Sequence, residues 1–209
     1  AHAFNRMTVV TVANPTADEW IGWASGNAIA PEVMAFAKQY PQVFDCYTDL
    51  AKGDKNPYIF NPMTGNIRGF CSPRSLAKAS NLIASREVLG SALLPALSGT
   101  VGEAAARDME ALVHLADQLP LFENIVKDPA KTKVPTSVGS LFILAFMLAG
   151  RVDADNLDAV MTYAERISSE SFEAHALFIT ALASNKSKVS MACRNRKFTA
   201  AAAKLGKYF

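Results

Sequence analysis

The feature that most constrains this chain is a series of apolar residues at helical spacing that runs from Thr16 almost to the C terminus. In the segment 102–119, for example, Met109, Leu112 and Val113 fall on one face of a helix. Comparable segments recur at about 137–149, 154–168, 171–184 and 198–206. Glycine, proline and short polar stretches separate them. This pattern predicts a mainly α-helical protein.

One segment near the N terminus has a different pattern. Residues 7–12 read Met-Thr-Val-Val-Thr-Val, a β-branched run that ends before Asn14-Pro15 and predicts the only strand. Thr16 followed by Glu19 has the pattern of a capping box, which predicts that a short helix begins there. Pro31 then occupies the position of a first helical residue. The predicted order is one strand followed by helices.

Residues 52–70 are dense in helix-breaking residues, including Asn56-Pro57 and Asn61-Pro62. We expect a long irregular loop, and such loops in compact domains are usually functional or mobile. The loop leads to Ser72-Pro73-Arg74, where Ser72 can cap a helix that runs to about Leu89 and Pro73 fits its first turn. Arg74 is therefore expected to project from a helix N terminus.

The cysteines and histidines predict no metal site. Three cysteines, an odd number, lie far apart and have no ligand spacing with the three histidines. This usage is typical of the reducing cytoplasm, which is where we expect the protein. The most apolar window, 138–149, is shorter than the roughly 20 residues that span a bilayer, so no membrane partner is predicted.

The C-terminal tail is locally basic, since no acidic residue follows Glu173. Two interpretations remain open for this segment. Its cations contact nucleic acid or an acidic partner, or they form a solvated helix face opposite acidic neighbours. The basic residues concerned are Lys186, Lys188, Arg194, Arg196, Lys197, Lys204 and Lys207.

The common catalytic motifs are absent from the sequence. It contains no Gly-x-x-x-x-Gly-Lys-Ser/Thr phosphate loop, no Gly-x-Ser-x-Gly elbow, no His-Glu-x-x-His and no Cys-x-x-Cys. On its own, the chain is not predicted to be a complete enzyme.

Two motifs resemble those of a known family. Ser72-Pro73-Arg74-Ser75-Leu76, opening a helix after a loop, resembles the start of a lid helix in MoxR-like AAA+ ATPases of bacteria and their phages. Asn5-Arg6, directly before the 7–12 run, resembles the pair that precedes the last strand of the AAA+ core. The segments 18–20, 29–33 and 102–106 are also similar, so the resemblance covers roughly residues 4–150.

The resemblance implies a fold in three parts. Residues 1–15 would hold the last strand of an AAA+ core, residues 16–150 a helical lid with the irregular loop 52–70, and residues 151–209 a helical extension with the basic tail. It implies Arg6 as an arginine finger in catalysis and Arg74 as the sensor-2 residue that contacts the nucleotide. The phosphate loop, the magnesium-binding strand and the sensor-1 residue would lie before Ala1.

The function implied is ATP hydrolysis coupled to remodelling of a protein partner, in a homo-oligomeric ring. ATP and Mg²⁺ would be the cofactors of the complete protein, and this chain alone would bind neither. Protein substrates or adaptors would be the partners. The alternative is a non-enzymatic helical binding or assembly module whose basic tail contacts nucleic acid or an acidic protein.

Overall fold

The computed structural model describes residues 8, 10, 12–51, 54–64 and 69–206. The described part is mainly helical and contains no β-strand. Thr8, Val10 and Val12 of the expected strand have no regular structure, and Met7, Val9 and Thr11 lie outside the described residues.

Twelve α-helices follow one another through the described residues. They are α1 (Ala17–Ala24), α2 (Pro31–Gln39), α3 (Pro73–Ala84), α4 (Arg86–Leu89), α5 (Leu93–Val101), α6 (Glu103–Ala116), α7 (Phe122–Lys127), α8 (Val138–Arg151), α9 (Leu157–Glu170), α10 (Phe172–Ser184), α11 (Val189–Ala192) and α12 (Arg196–Leu205). Short 3-10 turns occur at Pro41–Phe44, Tyr47–Asp49, Pro62–Thr64 and Gly90–Ala92.

Local sequence signals account for several of the helix starts. The Thr16–Glu19 capping box is present at α1, and Pro31 is the first residue of α2, as predicted. At α8 the Ser137 hydroxyl accepts the backbone N–H of Ser140. The Thr16 and Ser137 hydroxyls accept N–H groups that the first turn of a helix leaves without an internal partner, and Pro31 has no N–H group to be satisfied.

The core is built around α8, in which ten of the fourteen residues are buried. This helix packs mainly against α2, α6 and α10. Phe36 of α2, Phe146 of α8 and Phe178 of α10 are among the largest fully buried side chains. A helix that is apolar all round needs neighbours on every side, and these three helices provide them.

The helices after residue 150 share this core. α10 packs on α8 and also on α1, while α9 packs on α7 and α10. Asn185 donates a side-chain hydrogen bond of 2.8 Å to the carbonyl of Ser25, across 160 residues. The buried apolar side chains of both segments therefore form one cluster. The division at residue 150 stays a prediction about domain organisation.

Two helical segments differ from the pattern expected. The helix expected from Ser72 to about Leu89 is interrupted at Ser85, whose backbone leaves the α-helical region at φ −100° and ψ 15°. Between residues 89 and 102, where no helix was predicted, lies α5, whose buried face is Leu93, Leu97 and Val101. The spacing of these three residues is helical, but Pro95 and Gly99 obscure the pattern.

Candidate functional site

The N terminus of α3 carries Arg74 on a closely fixed first turn. The Ser75 N–H donates to the Ser72 hydroxyl over 3.1 Å, and the Ser72 N–H donates to the Ser75 hydroxyl over 2.8 Å. Pro73 lacks a backbone N–H, but no helical hydrogen bond is lost, because the N–H groups of a first turn have no internal acceptor. The reciprocal bonds form a capping box in which serine replaces the usual glutamate or glutamine.

The backbone that enters this turn is tied to two other parts of the molecule. The Cys71 N–H donates to the Tyr58 carbonyl over 2.6 Å, and the Ser75 hydroxyl donates to the Phe70 carbonyl over 2.8 Å. The Tyr58 hydroxyl in turn donates to Asp108 of α6 over 2.9 Å. The two ends of the irregular loop are thus joined to each other and to α6.

Two glycines allow the same backbone to approach the start of α6. Gly102 has φ +91°, and a Cβ there would lie 2.6 Å from the Gly69 carbonyl oxygen. A Cβ at Gly69 would lie 2.7 Å from the Gly99 carbonyl oxygen. Side chains are therefore excluded from both positions, and the close contact sets where α3 begins relative to α6.

Arg74 itself is exposed to solvent. Among the described residues it has neither an ion-pair partner nor a hydrogen-bond acceptor for its side chain. A guanidinium presents five N–H donors in a planar fork, a geometry that matches carboxylate and phosphate oxygens. The side chain is therefore free to take an anionic group from outside the described residues.

Arg6, the predicted finger, lies outside the described residues, as does its neighbour Asn5. The relation between Arg6 and Arg74 therefore stays a prediction.

The surroundings of Cys71, His114 and His175 do not favour a reactive thiol or imidazole. Cys71 is buried, and burial followed by the charge of Asp108 raises its pKa to about 12, so at neutral pH the group is an unreactive thiol. His114 is exposed, while burial lowers the pKa of His175. Within the described ranges, no group of three or more His, Cys, Asp or Glu residues is placed to hold a metal ion.

The basic tail is partly occupied by internal contacts. Lys188 donates to the carbonyls of Ala149 and Gly150 at the end of α8. Lys197 donates to Thr162 over 2.7 Å and lies 3.8 Å from Glu165. The other basic residues of the tail that the structure describes are exposed: Lys186, Arg194, Arg196 and Lys204.

The structure also contains a cleft that the sequence did not predict. It has a volume of about 750 Å³ and is lined by the α1–α2 connection, α3, α8, α10 and the α6–α7 connection. Glu32 on α2 lines it, although only 6% of this residue is exposed. Arg86 lies across from it, 3.8 Å from the Glu32 carboxylate and 3.1 Å from Asp117.

The sequence contains only a weak signal for this cleft. Glu32 is a lone acid among apolar residues of α2, but acidic residues are common in the first turn of any helix. Glu32 lines the cleft together with residues that are far away in the sequence, and hydrophobic periodicity does not predict that these residues come together.

Among the described residues, no helix is long and apolar enough to cross a membrane. Comparisons with protein-family models, with curated proteins and with solved structures find no match.

Proposed function

We propose that this chain is the C-terminal portion of a MoxR-like AAA+ ATPase, and that its helical lid senses nucleotide through Arg74. In this proposal residues 1–15 contribute the end of the ATPase core, residues 16–150 form the lid, and residues 151–209 extend it. The complete protein hydrolyses ATP with Mg²⁺ in a homo-oligomeric ring and remodels a protein partner.

The observation that carries the proposal is the setting of Arg74. Its side chain is exposed and unpaired among the described residues, while the turn beneath it is fixed by the Ser72–Ser75 capping box. The capping box holds the backbone of the first turn in place beneath Arg74. A residue that binds phosphate oxygens benefits from a fixed backbone, because less conformational entropy is lost on binding.

The second proposed contact is Arg6, supplied to the nucleotide of a neighbouring subunit. Negative charge on the oxygens of the transferred phosphoryl group is stabilised by positioned cations, and such a finger raises turnover by about 10³ to 10⁵. Arginine suits both positions, because it stays protonated and donates two parallel hydrogen bonds.

The test is to compare the complete protein with its Arg6→Ala variant and with Arg194→Ala, a control at an exposed tail position. Arg6→Ala is expected to leave ATP affinity nearly unchanged and to lower kcat strongly, since a finger acts mainly in the transition state. Equal losses of affinity and turnover would contradict the finger role. The 209-residue chain alone should bind no ATP in calorimetry. Micromolar affinity would contradict the proposal that this chain lacks the residues that bind the phosphates of ATP.

The alternative function is a helical binding module that uses the basic tail. Its support is that four cations among the described residues of the tail are exposed, and that no acidic residue follows Glu173 in the sequence. The four are Lys186, Arg194, Arg196 and Lys204. The internal contacts of Lys188 and Lys197 reduce the charge that remains for a partner. A salt titration of nucleic-acid binding decides the point, because phosphate contacts weaken steeply with added salt.

A further inference from the structure

The side chain of His175 is buried and lacks a hydrogen-bond partner at one ring nitrogen. Only 8% of the residue is exposed, and its Nε2 atom has no partner among the described residues. In a neutral imidazole, Nε2 can remain without a proton. In an imidazolium ion both nitrogens carry N–H groups, and the one at Nε2 would be buried without an acceptor. The folded structure around His175 therefore favours the neutral form.

His175 lies where three helices meet. It is the fourth residue of α10, and α12 packs on both α10 and α9. Burial is the largest effect on the imidazole and lowers its pKa; of the charged groups that face it, Glu165 of α9 raises the pKa and Lys204 of α12 lowers it. The nearby N terminus of α10 also disfavours a positive charge.

Among the described residues, the other helices that pack on α10 add no charge at the imidazole. α11 contains no ionisable residue, and Arg151 of α8 pairs with Glu123. The two acids of α1 have partners in Thr16 and Lys38. The charges around His175 therefore come from α9 and α12.

Few buried side chains attach α12 to the rest of the protein. Of its ten residues only Phe198 and Leu205 are buried, and it packs mainly on α9 and α10. Just before the helix, the Asn195 side chain donates to Asp158 over 2.6 Å at an exposed position. Elements with few buried contacts open at a lower free energy than the core, so α12 can leave while α8 and its neighbours stay folded.

We propose that α12 is an acid-sensitive latch, in which protonation of His175 favours release of α12 from α9 and α10. While α12 is docked the imidazole is neutral, and it takes up a proton when α12 moves away and water reaches Nε2. The docked state is fully favoured above about pH 6.5, the ordinary pKa of histidine, and loses stability as the pH falls below that value. The proposal does not depend on the ATPase assignment.

Hydrogen exchange of the 209-residue protein at about pH 7.5 and about pH 5 measures the opening of α12. At both pH values the amides of residues 199–205 should be less protected than those of α8, since α12 opens on its own. After correction for the intrinsic exchange rates, their protection should fall several-fold at the lower pH. The limit is about thirtyfold, which a group with pKa 6.5 in the open state can supply over this range. Equal protection of α8 and α12, or no fall at the lower pH, would overturn the proposal.

Replacing the imidazole tests whether it causes the pH dependence. His175→Met fills the buried position with an apolar side chain that does not ionise, so the difference in α12 protection between the two pH values should disappear. The matched control His114→Met, at an exposed position of α6, should keep the difference. A His175→Met protein with the original pH dependence would contradict the proposal.

Two exposed positions test the latch even if His175→Met does not fold. Lys204→Gln removes a charge that opposes the proton, so the loss of α12 protection at about pH 5 should become smaller. Glu165→Gln removes a charge that favours the proton, so the loss should become larger. A purely structural role for His175 predicts no such opposite changes. Identical pH dependence in both variants and the original protein would therefore rule the latch out.

Discussion

The Tyr58 hydroxyl lies 2.9 Å from Asp108 Oδ2 and joins the irregular loop to α6 across 50 residues of sequence. Because Tyr58 also accepts the Cys71 N–H through its carbonyl, this one residue connects α6 to the backbone that enters α3. The start of α3, and with it Arg74, is positioned from a distance by a tyrosine in a loop.

Tyr58→Phe is expected to lower the free energy of unfolding by about 1.5 kcal/mol, because it removes a hydrogen bond to a charged acceptor. For a protein of this size that corresponds to a fall in Tm of about 3–6 °C. Differential scanning calorimetry measures it, with the exposed Tyr47→Phe as a control that should not change Tm. An unchanged Tm in Tyr58→Phe would mean that the hydrogen bond contributes no net stability.

The contribution of the Tyr58–Asp108 hydrogen bond to stability depends on pH. Burial first, and then the hydrogen bond to Asp108, raise the pKa of Tyr58 above its ordinary value of 10.0. Its contribution to stability is therefore complete below about pH 10 and is lost as the pH rises above that value. The difference in stability between the protein and Tyr58→Phe should shrink in alkaline denaturation experiments.

Gly102 and Gly99 form a matched pair for testing the contact that positions α3. Gly102→Ala should cost about 3 kcal/mol or more, because alanine at φ +91° is strained and its Cβ would lie 2.6 Å from the Gly69 carbonyl. Gly99→Ala, inside α5 with open space around it, should gain about 0.5–1 kcal/mol. Urea denaturation compares the two variants, and equal effects would contradict the structure at this contact.

The cysteines give a chemical test of burial. Cys193 is exposed, whereas Cys71 is buried with its pKa raised to about 12. Iodoacetamide at about pH 8 should modify Cys193 in the native protein and leave Cys71 unreacted until the protein is unfolded. Peptide mass spectrometry gives the order of modification. Equal rates at the two sites in the native protein would show that the Cys71 region opens readily.

How far the sequence predicts the structure depends on the range of the interactions. The start of α1 at Thr16–Glu19 and the start of α3 at Ser72-Pro73 follow from signals within a few residues. The helix α5 was not predicted, because tertiary packing of Leu93, Leu97 and Val101 outweighs the local effects of Pro95 and Gly99. The break at Ser85 was not predicted either.

The two candidate sites, the N terminus of α3 and the cleft beside Glu32, also differ in the sequence range of the interactions that form them. Arg74 was predicted at a helix N terminus and is found there, since capping is a local property. The cleft was not predicted, because Glu32, Arg86 and Asp117 come together only when α2, α4 and the end of α6 pack. Sequence periodicity predicts which faces are buried, but it does not predict which helix ends converge.

The most direct test of the nucleotide-sensing role is the ATPase rate of the complete protein carrying Arg74→Ala, Arg74→Lys or Lys78→Ala. Lys78 is an exposed cation one turn further along α3 and serves as the matched control. Arg74→Ala should lower kcat by at least roughly tenfold, as expected on loss of a donor to developing charge. Arg74→Lys should restore it only in part, because an ammonium lacks the planar fork. Lys78→Ala should be unaffected, and Tm should change little in all three, since no large apolar group is removed. Normal turnover in Arg74→Ala, or a loss of turnover accompanied by a fall in Tm of many degrees, would contradict the account.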